Sequence, residues 1–192
     1  LKPGFRLELT AAEPLVADPV AMAFDENSRL FVIEMIGYSE HRDDKLGQVR
    51  LLEDTDGDGH ADVSRVFADG FNALLDGTGA GILVRGNQAW YTCIPNLWIL
   101  EDTNGDGEVE KRESLHHGYG VRVALRGHDS HGLIMGPDGK LYFSIGDRGY
   151  NVTNQEGEVL ADPERGAVFR CNLDGSELEI FARGLRNPQE LC

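Results

Sequence analysis

No stretch of this 192-residue chain stays apolar for the roughly 18 positions that a membrane-crossing helix needs. Basic residues are scarce: 18 lysines and arginines stand against 33 aspartates and glutamates, for a formal net charge of −15. That balance argues against nucleic acid and anionic lipid as partners, because phosphate would be repelled. It suits divalent cations and a periplasmic or secreted setting. Cysteine is rare too. Cys93, Cys171 and Cys192 match no zinc spacing and read as two core thiols and one terminal thiol. No Cys-x-x-Cys-His occurs, so no c-type haem is attached within these residues. Leu1-Lys2-Pro3-Gly4 lacks the basic-then-apolar profile of a signal peptide, as expected of a mature or cut chain. A sustained 3.6-residue apolar period is also missing, which excludes a helical domain.

What is present is a repeat. Leu51-Leu52-Glu53-Asp54-Thr55-Asp56-Gly57-Asp58-Gly59 returns as Ile99-Leu100-Glu101-Asp102-Thr103-Asn104-Gly105-Asp106-Gly107. A period near 50 residues is that of a propeller blade, whose four strands and turns take about 40–50. The apolar fraction of 41% suffices for a core, and 24 glycines and 7 prolines supply the turns.

Three β units align, over about residues 16–70, 78–120 and 128–186. Each is two hairpins, such as Gly132–Met135 and Leu141–Ser144 across Gly136-Pro137-Asp138-Gly139. The expected fold is therefore all-β: a propeller of four-stranded antiparallel blades. About three blades are present, the front half of a larger ring, since closure takes about four to eight. Residues 1–11, with Phe5-Arg6-Leu7-Glu8-Leu9, read as the outer strand that closes the last blade. Arg148 to Arg165 shows no strand pattern and reads as a long loop of the kind that is functional or disordered. Trp90 and Trp98 read as blade packing, and His116-His117 as solvated.

The acidic repeats place oxygen ligands at alternate positions: Asp54, Asp56 and Asp58 in the first, Asp102, Asn104 and Asp106 in the second, each followed by glycine. That order is the start of a calcium loop, in which a bidentate carboxylate follows at about position 12. Glu113 stands there in the second loop; the first has Arg65 there and would use Asp62 or water. Strand-like flanks make these calcium turns within hairpins rather than helix–loop–helix units. Turn preference alone also explains Asp and Gly at such sites.

Gly127-His128-Asp129-Ser130-His131-Gly132 and Gly146-Asp147-Arg148-Gly149 form the densest group able to do chemistry. The loop entering the innermost strand and the loop leaving the second are taken to lie at opposite ends, so His128 would have to reach Asp147 along the strand pair. Gly184-Leu185-Arg186-Asn187-Pro188-Gln189 adds a fixed cation and an amide.

These residues carry a family resemblance. Gly136-Pro137-Asp138-Gly139-Lys140-Leu141-Tyr142 leading to Gly146-Asp147, and then Arg186-Asn187-Pro188-Gln189, resemble the soluble glucose/sorbosone dehydrogenases. Those are six-bladed propellers that use pyrroloquinoline quinone (PQQ) with calcium. Over the whole chain, including Ala12-Glu13-Pro14-Leu15 and the twin acidic loops, it also resembles the membrane-bound dehydrogenase-type propellers of planctomycete and verrucomicrobial bacteria. The resemblance implies His128 as general base, Asp147 as the carboxylate that orients it, and Arg186 as the cation facing the quinone. It implies Asp129, His131, Arg186, Asn187 and Thr78 as cofactor contacts. Gly127 stands where that family has an acidic residue, with Asp129 adjacent, and Thr78 replaces a glutamine. The chemistry fits these types: a base near neutrality takes a hydroxyl proton as hydride leaves, and a permanent cation steadies the negative charge that develops.

The expected function is oxidation of a sugar or related alcohol, with a cytochrome c as candidate electron acceptor. Two alternatives stay open: a non-catalytic, calcium-stabilised propeller serving as a binding or scaffold module, and a calcium-dependent propeller hydrolase such as a lactonase.

Overall fold

The computed structural model describes residues 1–37, 45–73, 77–121 and 127–192. Among these every regular element is a strand. The first sheet has the order β1 (Pro19–Phe24), β2 (Leu30–Glu34), β3 (Gly47–Glu53), β4 (Val63–Phe71). The second is β5 (Gly79–Arg85), β6 (Gln88–Cys93), β7 (Asn96–Glu101), β8 (Lys111–His117). The third contains β9 (Ser130–Met135), β10 (Leu141–Ile145), β13 (Gly166–Cys171) and β14 (Glu179–Leu185) in that spatial order. All neighbours are antiparallel. These are the three expected blades.

The first strands of the three sheets, β1, β5 and β9, lie side by side. A propeller puts each blade's first strand at the axis, and this contact pattern is that arrangement. The blade faces pack through two cores. Phe31, Ile33, Val49 and Leu51 of the first blade meet Ile82, Val84, Ala89 and Tyr91 of the second. Trp90, Ile94 and Leu97 of the second blade meet Leu133, Phe143, Ile145 and Phe169 of the third. Alternation explains both: successive residues of a strand face opposite sides, so Trp90 and Tyr91 serve different interfaces. Trp90 is buried and its indole N–H donates to the carbonyl of Leu173 at 2.8 Å. Cys93 and Cys171 are buried and Cys192 is exposed, as the composition suggests; burial pushes the Cys171 thiol up to about 12.

Three expectations change. The connection after Asp147 is structured: β11 (Tyr150–Thr153) and β12 (Val159–Asp162) form a hairpin. Its inward residues Tyr150, Val152 and Leu160 join the core between the second and third blades. His116 is not solvated. It is 3% exposed, its Nε2–H donates to the carbonyl of Gly175 at 2.7 Å, and burial lowers its pKa. The two loops expected at opposite ends lie together, because antiparallel pairing sets Ser130 against Ile145, so the entry to β9 and the exit from β10 meet.

Residues 1–11 lie outside every sheet, with Phe5, Leu7 and Leu9 exposed. The segment touches the first acidic loop, where the Thr10 carbonyl accepts from Ala61 N–H at 2.8 Å. Among the described residues no helix is long and apolar enough to cross a membrane.

Candidate functional site

The end of β10 and the start of β9 build the site. Register carries the pairing one step past the strands, where the N–H of Gly146 donates to the carbonyl of Asp129 at 3.2 Å. One residue further out on each side stand His128 and Asp147. Imidazole Nδ1 lies 2.5 Å from Asp147 Oδ1, shorter than an ordinary N–H···O hydrogen bond. The pair is partly open to solvent, with side-chain exposures of 25% and 37%. The hydrogen bond from His128 holds the Asp147 carboxyl below its ordinary value, helped by the charges of His128 and Arg186.

The backbone specifies this geometry tightly. Gly127 and His128 are both left-handed, at φ 69° and 60°. For a residue with a β-carbon such a conformation costs roughly 1–2 kcal/mol. Gly146 allows the approach: a Cβ there would lie 2.5 Å from the His128 carbonyl oxygen and 2.8 Å from its Cα.

The segment after β14 crosses over the same end. The carbonyl of Arg186 accepts from the Asp147 N–H at 2.7 Å, and that of Pro188 accepts from the Ser144 hydroxyl at 3.0 Å. Arg186 Nε stands 4.0 Å from Asp147 Oδ2, and its side chain is 82% exposed. Asn187 Oδ1 is buried without a hydrogen-bond partner, and so is His131 Nε2. Burial lowers the pKa of His131, partly offset by the charges of Asp129 and Glu190. Unsatisfied buried polar atoms are uncommon in folded proteins; the Tyr91 hydroxyl, in the core between the first and second blades, is another.

Thr78 and Asp129 are brought together, but turned inward. Asp129 Oδ2 accepts from the Thr78 N–H at 3.1 Å and from its hydroxyl at 2.9 Å, while Oδ1 accepts from Arg148 Nη1. Asp129 is 3% exposed and Arg148 is 8% exposed. Asp76, two residues before Thr78, lies outside the described residues. Sequence reasoning missed Arg148: a loop arginine after Gly-Asp gives no sign of being buried.

The acidic loops fold as two copies of one turn. Asp54 accepts from the N–H groups of Gly57 at 2.7 Å and Gly59 at 2.8 Å; Asp102 accepts from Gly105 at 2.6 Å and Gly107 at 2.9 Å. Carboxylate oxygens of Asp54, Asp56 and Asp58 lie within 4.8 Å of one another, as do those of Asp102, Asp106 and Glu110. The expected Glu113 is displaced from this role. It sits on β8 opposite Ile99, with Lys111 Nζ 3.4 Å away. Glu110 closes the loop instead, taking Asn104 Nδ2 at 2.8 Å. Counting to position 12 presumes a helix after the loop, and here a strand follows. Asp62 does stay with the first loop, bonded to the Thr55 hydroxyl at 2.7 Å.

Quinoprotein glucose dehydrogenase B of Acinetobacter calcoaceticus is 34% identical over a stretch covering 34% of this chain and 19% of that protein. Two structures of a Trichoderma reesei carbohydrate-active enzyme of family AA12, described as iodide and calcium structures, are 18% identical with a TM-score of 0.46. They cover 74% of this chain and 32% of the enzyme. The chain thus spans well under half the length of these relatives. Over residues 1–189 it matches one family throughout, and it belongs to that family, described as a domain of unknown function (DUF7133).

Proposed function

We propose that this chain forms the base-bearing part of a PQQ-dependent dehydrogenase that oxidises a sugar or related alcohol in the periplasm or outside the cell. The observation that carries the reading is the hydrogen bond between His128 Nδ1 and Asp147 at a propeller rim. The partial likeness to a quinoprotein glucose dehydrogenase supports it.

The residues present fit an anionic quinone and a polyol. Arg186 offers a permanent, solvent-reaching cation, and Asn187 Oδ1 and His131 Nε2 are buried polar atoms in need of partners. Arg186 and Asn187 would hold the cofactor. When bound, PQQ supplies the two-electron acceptor.

The chain's own residues do the rest. Asp147 accepts the proton on His128 Nδ1, which fixes the tautomer and leaves Nε2 as the nitrogen that takes a substrate hydroxyl proton. The carboxylate then stabilises the imidazolium so formed. The Arg186 guanidinium lies across Asp147 and supplies positive charge where negative charge develops. A cytochrome c is the acceptor that this chemistry would reach next. The two acidic loops are proposed as structural calcium turns, away from the reacting atoms.

The test is reconstitution of the intact protein with PQQ and calcium, followed by dye reduction across a panel of aldoses and polyols. Turnover of at least one substrate is expected. Failure to bind PQQ or to reduce the dye would favour the second reading, a calcium-stiffened binding module.

A further inference from the structure

Two charge pairs cross-link the same two loops at adjacent positions, one facing out and one facing in. His128 pairs with Asp147 at the rim; Asp129 pairs with Arg148 directly behind, with side-chain exposures of 4% and 9%. We propose that Asp129, Arg148 and Thr78 form a buried clamp that positions His128 against Asp147, a role whose catalytic meaning rests on the dehydrogenase reading above.

An ion pair open to solvent contributes little and does not hold its own geometry. His128 also sits in a left-handed conformation at φ 60°, which its surroundings must impose. The clamp supplies that constraint. Asp129 is bonded in the chain to His128, and Arg148 to Asp147, so the inner pair fixes the backbone of both outer partners. Through Thr78 N–H and Oγ1, at 3.1 and 2.9 Å, the same carboxylate ties them to the second blade. All polar contacts found for the Asp129 carboxylate point inward, to Thr78 and Arg148, so it acts through its neighbours. Asp129, Arg148 and Thr78 are thus positioning residues.

The readout is the downfield proton resonance of the His128 Nδ1–H bonded to Asp147, recorded on the intact protein with labelled histidine and no quinone. Its absence in His128→Gln assigns it. Arg148→Met alone leaves a buried carboxylate without its cation and could unfold the protein. The double variant Asp129→Asn/Arg148→Met removes both charges together, and Thr78→Val removes only the hydroxyl bond. Expected results are a cooperative melt in both, loss of the signal in the double variant, a shifted or broadened signal in Thr78→Val, and recovery in Arg148→Lys. A wild-type signal in both Thr78→Val and the folded double variant would overturn the clamp; if the double variant does not fold, the unchanged signal in Thr78→Val does so alone. No signal in the wild-type protein would overturn it as well. Because no cofactor enters this measurement, a clamp that passes in a protein unable to reduce dye would sink the dehydrogenase reading alone.

Discussion

Glu110 closes onto Thr103: its Oε2 accepts from the Thr103 N–H at 2.7 Å and from the hydroxyl at 3.0 Å. Asp62 does the same to Thr55, at 3.2 and 2.7 Å, at the matching place in the first loop. The two turns are therefore one design, with its last acid after the glycine turn and before the returning strand. Calcium should raise the melting temperature by roughly 5–10 °C at about 100 times its dissociation constant. Glu110→Gln should lose much of that shift, while Glu113→Gln keeps it. Equal calcium responses in the two variants would refute the assignment of Glu110.

His116 gives the fold a pH dependence of known sign. Burial lowers its pKa below the ordinary 6.5, so the unfolded chain takes up a proton first as pH falls. Its contribution is fully present above 6.5 and is lost as pH falls from there toward the folded value; His131, shifted the same way by burial, adds to it. His116→Gln, which can still donate to Gly175, should flatten the fall in melting temperature between about pH 7.5 and 5.5. An unchanged slope in that variant would show that His116 is not buried neutral.

The hairpin after Asp147 should matter for stability. Leu160 is 7% exposed and belongs to the core between the second and third blades. Leu160→Ala is expected to cost about 2–4 kcal/mol in denaturant unfolding. A cost below about 0.5 kcal/mol, typical of surface sites, would mean that the hairpin does not pack there.

Gly146 lies against the His128 backbone without any positive φ of its own, so its role is steric. Gly146→Ala should push His128 away from Asp147 and lower turnover by about 10-fold or more, because small misplacements of reacting groups are costly. Gly139→Ala, where a Cβ would meet open space, should keep its turnover despite its φ of 76°. Equal turnover in the two would remove the close approach from the account.

Much of this was legible in the sequence, for physical reasons. Period-two alternation and Gly/Asp turns locate eleven of the twelve blade strands; the outer strand Lys111–His117, mostly exposed, carries no apolar alternation and reads as a connection. The His128–Asp147 pairing came from the family motif and not from the strand pattern; antiparallel register, applied strictly, would have placed the two loops together. Tyr150–Thr153 and Val159–Asp162 do alternate, as Tyr150, Val152 and Leu160 show, but four-residue strands fall at the limit of that signal. What was not legible is burial. Neither His116 nor Arg148 differs in sequence from a surface residue, and only the packing of the Gly175 turn on one and of Asp129 on the other sets them inside.

The central claim is that His128, oriented by Asp147, takes the substrate proton. Its most direct test is dye reduction by the intact, PQQ- and calcium-loaded protein with and without that imidazole. His128→Ala should lower turnover by about 10²-fold or more while PQQ binding, read by absorbance, persists. Undiminished turnover in that variant would contradict the account.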